Sequence, residues 1–513
     1  MGREIELKLA LTESAQRNFL RHPLLKKAVG RQSFRLVNLY YDTPRLELRA
    51  RGIALRLRAK GRLWLQTVKC AGQAAGGISS RPEWEMPYVG HFDFSGIDDA
   101  AVRAWLERPK LKPRIAPVFE TNFQRIAWQF APVPGTRIEM VFDRGWIAAA
   151  GRREAISEIE IELLEGDEAQ LFALARGLAG RIPVAPAPLS KADRGYRLFK
   201  QVAPAPVKAM PIALAADDAP AAAFNRIALA CLDHLQQNHQ GAIASDDPEY
   251  IHQMRVATRR LRAALRLFAP LLPAGFAAPL VAPLRELMRV LGQARDLDVL
   301  LAEIAEPVLL ALPDEPRLAA LVGIITERRF DRRRAAVDFL RAPRFGAIVL
   351  PVLEILHAQA QKVSAGGTAA PCAEAGITLA DFAADRLRRL RKKVLSLAAR
   401  ARTDDPPSLH ALRIGIKRFR YALEFFAPLA AQKSMRRMLG HLAALQEALG
   451  QINDLANAGQ LLMDCAGSDQ RLREAVTLIG GWHGPRHQKL LAAVPDELKR
   501  LGSLRLPRLA GHA

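Results

Sequence analysis

A chain of 513 residues with net charge +23, half of it hydrophobic and only 6% aromatic, has room for two to four domains at roughly one per 150 residues. That composition excludes wholesale disorder, and no apolar run reaches the roughly 18 residues of a membrane span. Cys70, Cys231, Cys372 and Cys465 are too scattered for a zinc site or a disulfide framework. Residues 1 to about 200 read as short alternating strands broken by Gly and Pro. The first, "EIELKL", places Glu4, Glu6 and Lys8 on one face and Ile5, Leu7 and Leu9 on the other. The pattern recurs down the chain. Arg56 and Arg58 share a face, Lys69 follows, and Glu83 pairs with Glu85; further on, Arg137, Glu139 and Asp143 align, as do Glu158, Glu160 and Glu162.

Six or more such strands close into a barrel with a polar interior, or they form an open sheet with its charged face in water. Charge chemistry favours closure. Glu4, Glu6, Glu160 and Glu162 repel one another unless compensated, yet they suit Mg²⁺ or Mn²⁺ as oxygen ligands. Arg56, Arg58, Lys69 and Arg125 supply cations for a run of phosphates. The overall positive charge predicts polyanionic partners, and the lack of aromatic residues among the basic ones argues against nucleic acid. No GxxxxGK[ST] loop is present. With no signal-like segment at its start, the protein is expected in the cytoplasm, without a membrane partner.

The ordered set "EIELKL", "YYDTPRLELRARGIALRLR", "LWLQTVKC", "RPEWEMP", "FQRIAW", "FDRGWIAAAGRREAISEIEIEL" and "LSKADRGYRLF" resembles the CYTH family, the triphosphate tunnel metalloenzymes. The resemblance covers nearly all of residues 3–200. It implies a closed antiparallel eight-stranded β-barrel with flanking helices that binds a linear triphosphate and a divalent metal and hydrolyses a phosphoanhydride. It implies Glu4, Glu6, Glu160 and Glu162 as metal ligands, with Glu158 assisting. Lys8, Arg56, Arg58, Lys69, Arg125, Lys191 and Arg194 are implied as the substrate-binding set. Lys8 and Glu85 are implied as catalytic, a glutamate among Glu83 and Glu85 orienting the attacking water, and Arg81 is a further candidate.

A Pro- and Ala-rich stretch, "APAPVKAMPIALAADDAP", then separates this half from long helices rich in Leu, Ala and Arg. "YIHQMRVATRRLRAALRLF" from Tyr250 is repeated as "SLHALRIGIKRFRYALEFF" from Ser408, with the histidines 158 positions apart. "LGQARDL" and "LGQINDL" keep the same offset, so a whole helical unit is duplicated. His252, Arg255, Arg259 and Arg262 fall within an arc of about 80° on a helix, as do His410, Arg413, Lys417 and Arg420. Leu261, Leu265 and Phe268 lie opposite, matched by Phe419, Leu423 and Phe426. A metal at the histidines is disfavoured by their cationic neighbours, and Asp296 and Asp454 are expected to pair with arginines or cap helices. This half resembles the CHAD domain, a helical module whose two related bundles line a basic groove. The resemblance implies binding of inorganic polyphosphate at both stripes.

The domains are expected at 1–202, a linker at 203–220, and an all-α domain at 221–503 whose copies span about 221–363 and 373–503. The expected activity is divalent-metal-dependent hydrolysis of inorganic triphosphate beside a polyphosphate-binding domain. The alternatives are a non-catalytic polyphosphate-binding or granule protein, an adenylate cyclase, and a thiamine triphosphatase.

Overall fold

The computed structural model describes residues 4–61, 63–70, 72–75, 77–364 and 377–510; the side chains at 4, 60, 73–75, 79–81 and 364 are outside that description, as are Cys372 and the candidate groups of Glu4 and Arg81. The chain divides into two compact units. One runs to Val207 and adds Gln236–Ala244 and Phe339–Ile355; the other takes Lys208–Leu235, Ser245–Asp338 and the chain from Leu356 onward.

The described strands of the first unit are β1 (Glu4–Leu11), β2 (Gly30–Asp42), β3 (Ile53–Lys60), β4 (Leu63–Cys70), β5 (Gln73–Ala75), β6 (Ile78–Arg81), β7 (Glu83–Pro87), β8 (Ala116–Phe130), β9 (Arg137–Ala149), β10 (Arg152–Glu165) and β11 (Val184–Pro186). All pairings are antiparallel, in the order β5-β6-β1-β10-β9-β8-β2-β3-β4-β7, with β11 on β1. The expected eight-stranded closed barrel is therefore not what the described ladder records: it holds eleven strands and ends at β5 and β7. The break falls at Pro82, which has no N–H to donate and separates β6 from β7. Around it, β6 pairs with β1 while β7 pairs with β4.

The charged strand faces do not lie in water. Leu7 and Leu9 are fully buried on one side of β1, and Glu6 and Lys8 are only 4% and 6% exposed on the other. On β10, Ile159 and Ile161 alternate with buried Glu158 in the same way. Apolar residues on the outer face are covered by helices, as with Leu171, Phe172, Ala175 and Leu178 of α1 (Glu168–Ala179), whose first turn is capped by Asp167. Helix α2 (Lys191–Phe199) starts in a reciprocal cap between Ser190 and Asp193. It lies so close to β8 that a Cβ on Gly195 would sit 2.2 Å from the Phe119 ring. Glycine there lets the helix settle on the sheet and carries Lys191 into the interior.

In the second unit, α3 (Pro248–Leu267) packs on α4 (Ala278–Val299), and α5 (Leu379–Arg400), α6 (Pro406–Phe426) and α7 (Gln432–Ala466) stack in sequence. Phe224 and Phe268 lie 5.6 Å apart with tilted rings, and the residues 158 positions on, Phe382 and Phe426, lie 6.4 Å apart edge to face. Phe268 joins the pairs, 5.0 Å from Phe382 and 6.0 Å from Phe426. Four buried phenyl rings thus join the two repeats in one core, alongside its many buried leucines.

Candidate functional site

Antiparallel register sets the inward side chains of the first unit in rows. Glu6 stands opposite Glu162, and Glu162 opposite Glu139. One step along, Lys8 faces Glu160; another step on, Glu158 faces Asp143, which faces Arg125 across β8. On the other wall, Glu85, Thr67, Arg56 and Tyr40 run across β7, β4, β3 and β2, beside the row Glu83, Lys69 and Ala54. These rows line a cavity of about 360 Å³. Glu6, Lys8, Arg56, Arg58, Lys69, Glu85, Arg125, Glu160, Glu162 and Lys191 all reach it, so most of the expected side chains are brought together. Arg194 does not reach it. Its guanidinium is held by Glu154 at 2.7 Å and Glu158 at 3.1 Å, behind the cavity wall.

Two ion networks organise the interior. Arg125 donates to both oxygens of Asp143 at 2.7 and 2.6 Å and to Glu160 at 2.7 Å. Lys191 donates to Glu158, lies 2.7 Å from Asp143 and donates to Glu160 at 3.0 Å. On the opposite wall Glu83 takes Lys69 at 2.6 Å and Arg56 at 3.3 Å, and Glu85 accepts from Thr67 at 3.2 Å with Arg58 3.6 Å away. Burial alone would raise the Glu160 carboxyl, but Lys191, Arg125 and Lys8 hold it well below the usual carboxylate range. Burial, with Arg56 and Arg125 nearby, brings Arg58 down to about 10. Tyr40 is buried, which would raise its phenol, yet Arg56, Arg58 and Lys69 lower it overall. Every one of these shifts shows cations crowded round an enclosed space, which favours the charged form of an anion placed there.

Asp143 is the residue that sequence reasoning left unassigned. Among the described residues, Asp143, Glu158 and Glu160 form the group able to hold a metal ion, with one oxygen from each within 4.8 Å of the others. In the arrangement described these oxygens are already matched by Lys191 and Arg125. The row Glu6, Glu162 and Glu139 sets three carboxylates on neighbouring strands, where like charges need compensation, and Lys8 donates to Glu6. All donors are hard oxygens, the set that Mg²⁺, Mn²⁺ or Ca²⁺ prefers over softer metals.

In the second unit the stripes converge in their middle. Arg255 lies 3.6 Å from Asp296 and Arg413 3.7 Å from Asp454. Burial, with Arg413 and Arg259 nearby, takes Lys417 down to about 7. His252 falls to about 4 through burial and Arg295, whereas His410 binds Asn453 at 2.8 Å. The stripe ends diverge from this centre. Arg420 pairs with Glu424 at 2.9 Å, and Arg262 lies among Arg266, Arg285 and Arg418.

A CYTH-domain family model matches residues 2–196 and a CHAD-domain family model matches residues 226–463. The chain therefore joins a CYTH domain to a CHAD domain. An inorganic triphosphatase from Haemophilus influenzae is 31% identical over 199 residues, 39% of this chain; the chain spans only 55% of the length of that relative. The crystal structure of the CHAD domain from the plant Ricinus communis is 36% identical, with 60% of this chain and 99% of that one covered at a TM-score of 0.51. None of the described helices is long and apolar enough to cross a membrane.

Proposed function

We propose that the CYTH domain hydrolyses inorganic triphosphate with a divalent metal, Mg²⁺ or Mn²⁺, and that the CHAD domain binds inorganic polyphosphate. The observation that carries the first half is the cavity in which six cations, Lys8, Arg56, Arg58, Lys69, Arg125 and Lys191, face the glutamate row of Glu6, Glu162 and Glu139. A chain of phosphates needs such a cationic wall, and a divalent ion needs such a row. The Haemophilus relative's name supports the same substrate class.

In this reading Arg56, Arg58, Lys69 and Arg125 bind the phosphate oxygens and hold the anhydride in line for attack. Lys8 and Lys191 neutralise charge that builds on the terminal phosphoryl group and on the leaving pyrophosphate. Glu6, Glu160 and Glu162, with the side chain of Glu4, hold the metal; when bound, that ion would polarise phosphate oxygens and lower the pKa of a coordinated water. Glu85, tied by Thr67 and near Arg58, orients the attacking water and takes up its proton. Arg194 holds Glu158 in place rather than touching substrate. Closure of the wall around the substrate across the Pro82 break belongs to the same proposal.

Phosphate release from tripolyphosphate, long-chain polyphosphate, ATP and thiamine triphosphate, each with Mg²⁺ and with Mn²⁺, tests the assignment. Tripolyphosphate should give the highest kcat/KM. Preference for ATP or thiamine triphosphate would assign the cavity to a nucleotide or thiamine substrate, and release from none of the four would leave a polyanion binder.

For the helical domain, Lys417 supplies a pH signature. A polyanion raises the pKa of a lysine that is about 7 when free, so binding takes up a proton above that pH. Affinity for polyphosphate should fall as pH rises from about 7 to 9, by up to tenfold per pH unit, and Lys417→Arg should flatten the profile. An unchanged profile in Lys417→Arg would remove Lys417 from the site.

A further inference from the structure

The two halves of the helical domain are not electrostatically equivalent. On α3 and α4 the first copy has arginine where the second has an acidic or neutral residue at Arg266 against Glu424, Arg285 against Ala443, Arg289 against Glu447 and Arg295 against Asn453. The first of these differences changes a contact between the copies. On α3, Arg260 reaches across to Glu424 of α6 at 2.7 Å, and Arg420 closes on the same carboxylate. The matched contact in the other direction sets Arg418 of α6, the counterpart of Arg260, toward Arg266 of α3, the counterpart of Glu424. An ion pair in one of the two matched contacts is thus a pair of like charges in the other.

Two further guanidinium groups join them. Arg262 precedes Arg266 by one turn on the same face of α3, and Arg285 comes from α4, which packs on α3. Among the described residues, none of these four arginines makes an ion pair with a carboxylate. The Nε of Arg418 is buried with no hydrogen-bond partner. Burial lowers the Arg262 guanidinium, and so do the charges of Arg266, Arg285 and Arg418. Planar guanidinium groups around one point are what multiple phosphoryl oxygens require.

We propose that Arg262, Arg266, Arg285 and Arg418 form a discrete subsite for phosphoryl oxyanions, present at one end of the basic surface and cancelled by Glu424 at the other. The subsite rests on the polyphosphate reading of this domain and gives that reading a direction. A bound chain meets four uncompensated arginines at the first-copy end and a neutralised pair at the second-copy end. It is therefore held off-centre rather than symmetrically about the Arg255 and Arg413 pair.

The Arg266→Glu variant separates the subsite from a structural role, because it recreates opposite Arg418 the ion pair that Arg260 makes with Glu424. In the full-length protein it should keep or raise the melting temperature while weakening long-chain polyphosphate binding by about tenfold or more. Arg388→Glu changes net charge equally on an exposed face of α5 and should weaken binding by less than about twofold. Arg285→Ala, which creates no new pair, should move affinity in the same direction as Arg266→Glu. Equal losses for Arg266→Glu and Arg388→Glu, with tight binding by the wild type, would overturn the subsite alone. No polyphosphate binding by the wild type would overturn the underlying reading and the subsite with it.

Discussion

Glu160→Gln should reduce tripolyphosphate turnover by about 10²–10³-fold at saturating Mg²⁺ while the protein stays folded. The amide keeps the shape of the side chain but loses the charge that a metal ligand must carry. The fold should survive because Arg125 and Lys191 keep Asp143, and Lys191 keeps Glu158. Steady-state phosphate release, with circular dichroism as the check on folding, reads both consequences. Undiminished turnover would remove Glu160 from the metal set. Arg56→Ala makes the contrast: it should weaken catalysis by loss of phosphate binding, and excess metal should leave that loss unrepaired.

The second large effect is expected in the helical domain. Arg255→Gln with Arg413→Gln removes the two cations at the centre of the stripes, where each faces an aspartate and where Lys417 is closest. Polyphosphate affinity should fall by two orders of magnitude, on the order of one for each lost contact, and the slope of log affinity against log salt should shrink by about 1.4. The charge-matched pair Arg328→Gln with Arg388→Gln should change affinity by less than about twofold. Equal losses in a titration would show diffuse attraction by the net charge of +23 in place of a defined groove.

Period-two alternation was enough to identify which charges share a strand face. Glu6 and Lys8, Arg56 and Arg58, and Glu160 and Glu162 all line the cavity as that pattern requires. What alternation cannot supply is the neighbour across the ladder. Asp143 alternates correctly with Glu139, but its importance comes from standing opposite Arg125 and Glu158, a matter of register between distant segments. Arg194 lies outside the cavity lining for a related reason. It sits on a helix, where the cap at Ser190 and the closeness of Gly195 to Phe119 send Lys191 inward and leave Arg194 behind Glu158. The strand count departed from eight because three short strands are added, β5 and β6 in the Gly-broken stretch before Pro82 and β11 at Val184–Pro186, which have too few residues to show a period.

Helical periodicity had a similar reach. His252, Arg255, Arg259 and Arg262 do share a face, but ten residues of helix cover about 15 Å, so its two ends serve different neighbourhoods. Arg255 and Arg259 meet Arg413 and Lys417 at the centre, whereas Arg262 joins another cluster and Arg420 is taken by Glu424. The 158-residue offset was legible in the chain, and the matched residues Phe268 and Phe426 lie 6.0 Å apart. The exchange of an ion pair for a like-charged pair could be read only once the two copies were packed together.

Phosphorus-31 NMR of tripolyphosphate incubated with the full-length protein follows the proposed hydrolysis itself. With Mg²⁺ or Mn²⁺ each tripolyphosphate should be converted to one orthophosphate and one pyrophosphate, and chelation by EDTA should stop the reaction. Persistence of tripolyphosphate with metal present, or cleavage at an undiminished rate in EDTA, would contradict it.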